Sequence, residues 1–347
     1  VTGVVDPDEL PTVLESGAWY TIDHPSAVGR VRRAASDAAR RLGIDESRAA
    51  EAGLLVSELA TNQVRHAGSG TVLLRVRRDG KAAALEILAV DSGPGMRSVE
   101  AEMRDGVSSR GTLGIGLGTL PRLASWWDAW SAPGAGTVVA ATVSARGDAT
   151  DTSGAAAVPA GLTRAMTGQS VCGDAFAVKG SPGARTVLVS DGLGHGPLAA
   201  AASQSAVRAF LTAPDAGPTE LLQIVHEALR GSRGAAVAVV QQSGGFLHHV
   251  GVGNIGGAMH GARTRTLLSQ PGITGSHAPR LHETVHALEP REVVTLFSDG
   301  LTDRAALSSY PGLARRSPLV VAGVLLRDFG VRRDDACVVV MPVGEAA

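Results

Sequence analysis

Two cysteines, Cys172 and Cys337, are all the thiol chemistry this 347-residue chain carries, and no CxxC pair exists. A disulfide framework and a cysteine-based zinc site are thereby excluded, and a buried free thiol in or beside a strand is expected for each. Aromatic residues are also scarce, at 3 % against 44 % hydrophobic overall, so any core must be built from Ala, Val and Leu. Charge of one sign is missing too. The formal net charge is -1, and the basic residues, nearly all arginine, are scattered. A nucleic-acid footprint needs a basic patch, so direct contact with nucleic acid is not expected. No apolar run reaches the length of about eighteen residues that a span requires, and no charged-then-apolar leader is visible. The expectation is therefore a cytoplasmic protein with no membrane segment. Glycine, by contrast, is abundant at 44 residues, which frees many backbone positions to turn tightly or approach a ligand.

The length points to two domains, and the seam is RGDATDTSGAAAVPAG at 146–161, small, polar and without helical or strand period. This reading gives a first domain over 1–145, a linker over 146–159 and a second domain over 160–343. In the first, SAVGRVRRAASDAARRLG (26–43) reads as a helix capped by Ser26 and ended by Gly43. DESRAAEAGLLVSELATNQVRHAG (45–68) reads as a second, with an aspartate cap and Gly68 at its end. Strands are predicted at 71–77 and 84–90, then a helix near 115–127 and a hairpin around 128–143. The second domain offers the strands TVLVSDG, AAVAVVQQ, FLHHVGVG, EVVTLFSDG and DDACVVVMP, with helices at 197–212 and 218–230. That alternation predicts an α/β domain with sheets covered by helices.

Two stretches pair an aspartate with nearby glycines at the end of an apolar run, DSGPG at 91–95 and SDGLGHG at 190–196. Their surroundings differ. Before the first, SELATNQVRHAG sets Glu58, Asn62 and His66 on one helical face, with Leu54, Leu55, Leu59 and Val64 as the packing stripe. An amide oxygen at Asn62 can hold Mg²⁺ while the Glu58 carboxylate orients or deprotonates a hydroxyl; a solvated polar stripe is the plainer alternative. The loops favour the first. Asp91, followed by Gly93 and Gly95, can accept a proton from the amino group of a base. Gly111, Gly114, Gly116 and Gly118 in GTLGIGLGTL can present open N–H groups to phosphate. No GK[ST] follows, so this is not a P-loop, and a dinucleotide fingerprint matches poorly.

The ordered set ExxxN, DxGxG and GxGxG resembles the GHKL ATPase family, within it the bacterial anti-sigma-factor and stress-switch serine/threonine kinases. The resemblance covers about residues 18–145, through SELATNQVRHA, DSGPGM, GIGLGTLPRLAS and APGAGTVV. It implies an α/β sandwich of helices against a mixed sheet, with ATP and Mg²⁺ as cofactors. It further implies that Asn62 coordinates Mg²⁺, Glu58 acts as general base, Asp91 reads adenine, and the glycines Gly93, Gly95, Gly114, Gly116 and Gly118 line the nucleotide. Residues 96–113 would form a short ATP lid. No dimerising hairpin with a phosphoacceptor histidine precedes this domain, so the pattern departs from that of histidine kinases and leaves His66 at the pocket edge.

In the second half SVCGDAFAV offers Asp174, VLVSDGLGHG Asp191, VVTLFSDGLTD Asp299, and RRDDACVVV Asp334 and Asp335. Each aspartate taken singly also fits an Asx turn. Converging carboxylates disfavour their own ionisation unless a cation joins them, and oxygen donors select Mg²⁺ or Mn²⁺. This order resembles the bacterial PP2C-type phosphatases of the sporulation and stress class, over 160–343, with GVGNIGGAM and SQPGITG adding to the match. The resemblance implies an αββα sandwich with a dinuclear Mn²⁺ or Mg²⁺ centre. In it Asp191 bridges as the central catalytic ligand and the Gly192 carbonyl serves the second ion. Asp299 and Asp334 hold the first ion, and Asp174 reaches the second through water. Where eukaryotic relatives carry a histidine directly after their DG pair, this chain has Leu193; His195 stands two residues on, as a proton donor or a turn residue.

Together the resemblances imply a signalling switch, a protein serine/threonine kinase fused to a metal-dependent phosphoserine/phosphothreonine phosphatase. Its implied partners are anti-sigma antagonist or stressosome scaffold proteins. The alternative makes the first domain a nucleotide-dependent binding module that captures an antagonist or a sigma factor without phosphorylating it.

Overall fold

The computed structural model describes residues 17–79, 82–104, 117–145, 158–181, 184–276, 280–302 and 307–343. They form two compact units. One gathers the described residues up to 145 together with Tyr310–Arg327, the other those from 158 to 309 and from 328 onward. The interdomain segment at 146–157 lies outside the described residues, as do Gly111, Gly114 and Gly116. The α/β two-domain class expected from the sequence is what the chain adopts.

The first unit opens with β1 (Ala18–Ile22), α1 (Pro25–Arg41) and α2 (Glu46–Asn62), then β2 (Gly70–Asp79) and β3 (Ala82–Asp91). After α3 (Val99–Arg104) and the single turn α4 (Leu120–Leu123) come β4 (Trp126–Ser131) and β5 (Thr137–Ser144). The strands pair in the order β1-β2-β3-β5-β4, every pairing antiparallel among the described residues, where a mixed sheet was implied. Alternation selects the helix-facing side: Leu85, Ile87 and Ala89 of β3 and Val139, Ala141 and Val143 of β5 meet Val31, Ala35, Leu55, Val56 and Leu59. Small residues let α1 and α2 approach closely; a Cβ on Gly53 would lie 2.3 Å from Ser36 Oγ.

Three details differ from the sequence reading. His24, not Ser26, caps α1, its Nδ1 accepting from the Ser26 N–H at 3.3 Å, whereas Asp45 caps α2 as expected by accepting from Arg48 N–H. Leu54 is 39 % exposed, because the stripe runs through Ala52, Leu55, Val56, Leu59 and Ala60 instead. The helix expected near 115–127 shrinks, in its described part, to a 3-10 turn at Leu117–Thr119 and the turn α4. The aromatic stretch from Trp126 prefers a strand and pairs with β5.

The second unit is a sandwich. One sheet runs β13-β10-β9-β8-β7, from β7 (Asp174–Ser181), β8 (Ala184–Gly192), β9 (Ala235–Ser243), β10 (Phe246–Val252) and β13 (Thr284–Ala287). The other runs β12-β11-β14-β15-β6, from β6 (Ala160–Arg164), β11 (Gly256–His260), β12 (Thr264–Leu267), β14 (Glu292–Phe297) and β15 (Ala336–Val343). Phe176, Val189 and Val240 from the first sheet and Met259, Leu296 and Val339 from the second share the core between them. Helices α5 (Pro197–Thr212) and α6 (Pro218–Ala228) cover the outer side of the first sheet through Ala206, Phe210, Leu221 and Val225. Both helices fall where the sequence placed them. Cys337 is buried in the core and Cys172 is half-buried; both are free.

Between β14 and β15 runs α7 (Pro318–Phe329), buried along its whole length from Pro318 to Leu326 as befits a helix apolar on every side. Through Arg327 this segment belongs to the first unit. A Cβ on Gly323 would lie 2.9 Å from Val138 and 3.4 Å from Leu88, so the helix covers the side of the first sheet opposite α1 and α2. Asp128 of β4 receives the Ser317 N–H at 2.6 Å just before α7 begins, and Trp130 donates its indole N–H to the Pro311 carbonyl at 3.1 Å.

Arg48 ties α2 to the rest of the first unit. Buried, it donates to the Ser144 carbonyl at 3.1 Å, the Leu123 carbonyl at 2.6 Å and Ser125 Oγ at 2.7 Å, and pairs with Glu51. Arg48→Met keeps the aliphatic stem but removes these buried donors and the charge beside Glu51, and is expected to cost this unit about 2–4 kcal/mol. All four tryptophans lie in the first unit. Tryptophan fluorescence during urea unfolding therefore reads this loss directly.

Candidate functional site

Strand pairing brings the second unit's carboxylates together. Asp174 opens β7 and stands in register opposite Asp191 near the end of β8. Asp299 follows β14, and Asp334 and Asp335 precede β15, the neighbour of β14. Asp174 meets Asp191 and Asp191 meets Asp299, and the charge of Asp334 acts on both Asp299 and Asp191. Among the described residues no three His, Cys, Asp or Glu side chains close on one cation position. Gly192 sits where a Cβ would lie 2.2 Å from the Ala199 carbonyl, so the start of α5 presses against the DG turn and no larger residue fits.

The electrostatics are those of charges without enough counter-charge. Burial, then the Asp299 carboxylate, pushes Asp191 up to about 7. Burial and then Asp191 raise Asp174 well above the usual carboxylate range, and burial with Asp334 raises Asp299. Asp174 Oδ1 is buried and receives no hydrogen bond. An all-oxygen set of mutually repelling carboxylates with an orphaned buried oxygen fits a hard divalent cation such as Mg²⁺ or Mn²⁺.

Three further residues hold this set, and the sequence reading missed two of them. Ser298 Oγ donates to Asp174 Oδ2 at 2.6 Å and accepts from the Cys337 N–H at 2.8 Å. Asn254 Nδ2 donates to Asp299 Oδ2 at 2.6 Å. Asp335, noticed only as Asp334's neighbour, is buried and accepts from the Met166 and Gly173 N–H groups, both at 2.8 Å, fixing the loop that leads into Asp174. The serine of SDG and the asparagine of GVGN were the available signals. His195 lies exposed between Gly194 and Gly196, both at positive φ, on the turn into α5. Burial pushes the Cys172 thiol up, which keeps it protonated and unreactive at neutral pH.

In the first unit, Glu58 and Asn62 lie one turn apart at the end of α2, both half-buried. Burial raises the Glu58 carboxyl while Arg65 opposes the rise. Directly after Asn62 the helix widens into a π turn over Gln63–Ala67, a feature common at functional sites. Gln63, which the sequence reading left unassigned, is buried there and donates to the carbonyls of Thr71 and Val90, at 3.0 and 3.1 Å. This anchors the helix end beside the end of β3, and the charge of His66 acts on Asp91.

Asp91 closes β3. Burial raises its carboxyl, and its Oδ1 accepts from the Gly93 N–H at 2.9 Å. The following loop is stapled to the β4–β5 turn by Gly134 N–H to the Pro94 carbonyl, 2.6 Å, and Gly136 N–H to the Gly93 carbonyl, 3.1 Å. Gly95 has φ 67, and a Cβ there would fall 1.9 Å from the Ala132 carbonyl. A half-buried carboxylate beside a backbone cradle fits the amino edge of a base. Gly118 lies in the turn after the undescribed stretch, and a Cβ on it would come 3.0 Å from the Met103 carbonyl. The proposed lid falls partly outside the described residues, which cover only its start as far as 104.

Comparison with known proteins matches each half separately. Residues 23–143 match the histidine kinase-like ATPase domain, and residues 181–343 match stage II sporulation protein E. The chain is 34 % identical over 113 residues to the serine/threonine-protein kinase RsbT of Bacillus subtilis (strain 168), spanning 32 % of this chain and 83 % of that protein. A chain from a structure of the bacterial stressosome, a modular system adapted to control secondary messenger signalling, is 31 % identical, with TM-score 0.49, over 52 % of this chain and 97 % of its own. RsbX in complex with magnesium is 19 % identical, with TM-score 0.48, over 54 % and 94 %.

The raised carboxyls predict how metal and pH interact. Asp191 has a folded value of about 7 against an ordinary 3.8, so the metal-free folded state binds the extra proton between these pH values. Stability of the metal-free second unit therefore falls as pH rises through that window. A divalent cation relieves the repulsion. Differential scanning calorimetry should show a larger Mn²⁺-induced rise in Tm at pH 7.5 than at pH 5, and Asp191→Asn should shrink the difference.

Proposed function

Since the chain belongs to the histidine kinase-like ATPase family and joins to that domain a PP2C-like domain of the stage II sporulation protein E type, we propose that it is a stress-signalling switch acting on protein hydroxyls in both directions. The first unit transfers the γ-phosphoryl group of ATP to a serine or threonine of a partner, and the second hydrolyses the resulting phosphoester. In this reading the partner is an anti-sigma antagonist or stressosome scaffold protein, as the resemblance of the two domains to their families implies.

The observation that carries the phosphatase half is the mutual repulsion of Asp174, Asp191, Asp299 and Asp334. PP2C-like proteins depend on divalent metal. In this reading Asp191, the Gly192 carbonyl, Asp299, Asp334 and Asp174 hold two Mn²⁺ or Mg²⁺ ions, which supply the Lewis acidity that phosphoester hydrolysis by water needs. Ser298 turns Asp174 by donating to one of its oxygens and so leaves the other directed at a cation. Asn254 does the same for Asp299. In the kinase half, Asp91 would accept a hydrogen bond from the adenine amino group and Asn62 would be a ligand of the Mg²⁺ that offsets phosphate charge. Glu58, its carboxyl raised by burial towards the range of a useful base, takes the proton from the incoming hydroxyl.

Two substitutions test the two halves. Asp191→Asn should lower phosphopeptide turnover by about 10²-fold, since it weakens the ligand shared by both ions. Unchanged turnover, or full activity in excess EDTA, rejects the dinuclear centre. The D191N chain then serves as the background for transfer, because no phosphatase remains to erase the product. In it Glu58→Gln should leave ATP binding intact while single-turnover transfer falls by about 10²-fold. Equal transfer by both chains rejects Glu58 as base. No transfer from the D191N parent to any antagonist domain favours the nucleotide-dependent binding module instead.

A further inference from the structure

We propose that Arg327 is a positioning residue of the nucleotide pocket, holding the Asp91 backbone so that its carboxylate meets the base. The inference rests on the reading of Asp91 as the adenine acceptor. Arg327 stands 236 positions downstream in sequence, near the end of α7, yet its Nη1 donates to the Asp91 carbonyl at 3.0 Å. Its guanidinium also lies over the Trp130 ring, 5.9 Å from the centroid, on the strand next to β5. A Cβ on Gly136 would come 2.2 Å from the Asp91 carbonyl oxygen and 2.8 Å from Arg327 Nη1, so glycine is what lets the three meet.

The geometry gives this contact a specific consequence. Asp91 is the last residue of β3, paired with Gly70 on one side and Thr137 on the other. Beyond it the chain leaves the sheet, and its path depends on the orientation of the Asp91–Ser92 peptide. A cation on that carbonyl fixes the orientation. It thereby fixes where the Gly93 N–H reaches back to Asp91 Oδ1, at 2.9 Å, and how the carboxylate, which the Thr137 N–H also bonds, is turned towards a ligand. Arg327 also favours the charged carboxylate that an amino-group donor requires, and burial opposes it. Trp130 and Tyr310, ring centroids 5.5 Å apart, and the Asp128 contact with Ser317 hold the stretch that leads into α7.

Arg327→Met keeps the stem that lies on Trp130 and removes the donor; Arg327→Lys keeps a cation. Calorimetry on the full chain should show Mg-ATP binding weakened by about five- to tenfold in R327M, the scale of one charge-assisted hydrogen bond, and largely restored in R327K. Because Arg327 acts through Asp91, the preference for ATP over ITP, which lacks the amino group, should shrink in R327M. In an Asp91→Ala background R327M should change ATP affinity less than about twofold, the non-additivity of directly coupled residues. A structural role alone would weaken both nucleotides equally and add to the Asp91→Ala loss, and either result overturns the proposal. Unchanged ATP affinity in R327M overturns it too, while leaving the ATP reading intact. A parent chain that binds no Mg-ATP overturns the ATP reading itself and the proposal with it. Should R327M not fold, Arg327→Leu, which also lacks a donor, takes its place in the same comparisons.

Discussion

Repulsion among aspartates organises the second unit. Antiparallel pairing sets Asp174 against Asp191, and the adjacent strands β14 and β15 lead out of and into the turns that carry Asp299 and Asp334. Carboxylates so placed raise one another's affinity for protons, and either a bound proton or a multivalent cation relieves the repulsion. Much of the surrounding structure can be read as the means of holding this unfavourable arrangement. Ser298 is itself anchored by the Cys337 amide before it turns Asp174, and each oxygen of Asp335 accepts a backbone N–H group. The Asp335 charge still adds to the rise of Asp174 and Asp191.

The first unit meets a related demand with a different solution. Asp91 is also a carboxylate raised by burial, but among the described residues no second carboxylate adds to the rise; the Gly93 and Thr137 N–H groups, Arg327 and His66 oppose it. A single acceptor held in a backbone cradle suits a neutral hydrogen-bond donor such as the amino group of a base. A set of carboxylates with fewer donors than charges suits a metal. The two aspartate-glycine stretches, alike in composition, are separated in chemistry by what the sheets bring beside them.

Sheet packing also explains where the sequence was misread. Period 3.6 in α2 allowed two apolar registers, one through Leu54 and one through Ala52, Val56 and Ala60. The second prevails because alanines permit the close approach of α1. Glycines near 115–118 looked like a helix start, but WWDAW has the β-propensity to pair with β5, and it does. The segment 310–327 gave no local sign of its destination. An all-apolar helix states that it is buried, not against what.

What the sequence by itself determined is substantial. Two domains, the α/β class, α5 and α6, the strand-end placement of Asp91, Asp174 and Asp191, and the contrast between one acceptor and many were all legible. Periodicity, glycine spacing and strand propensity are local properties that survive without a fold. The tertiary structure alone decided which residues support those groups. Gln63 reaching two strand ends, Asn254 on Asp299, Ser298 on Asp174 and Arg327 on the Asp91 carbonyl are contacts between residues from 8 to 236 positions apart. Each is a common polar side chain whose partner is fixed only once strand register and helix packing have brought it within 3.1 Å.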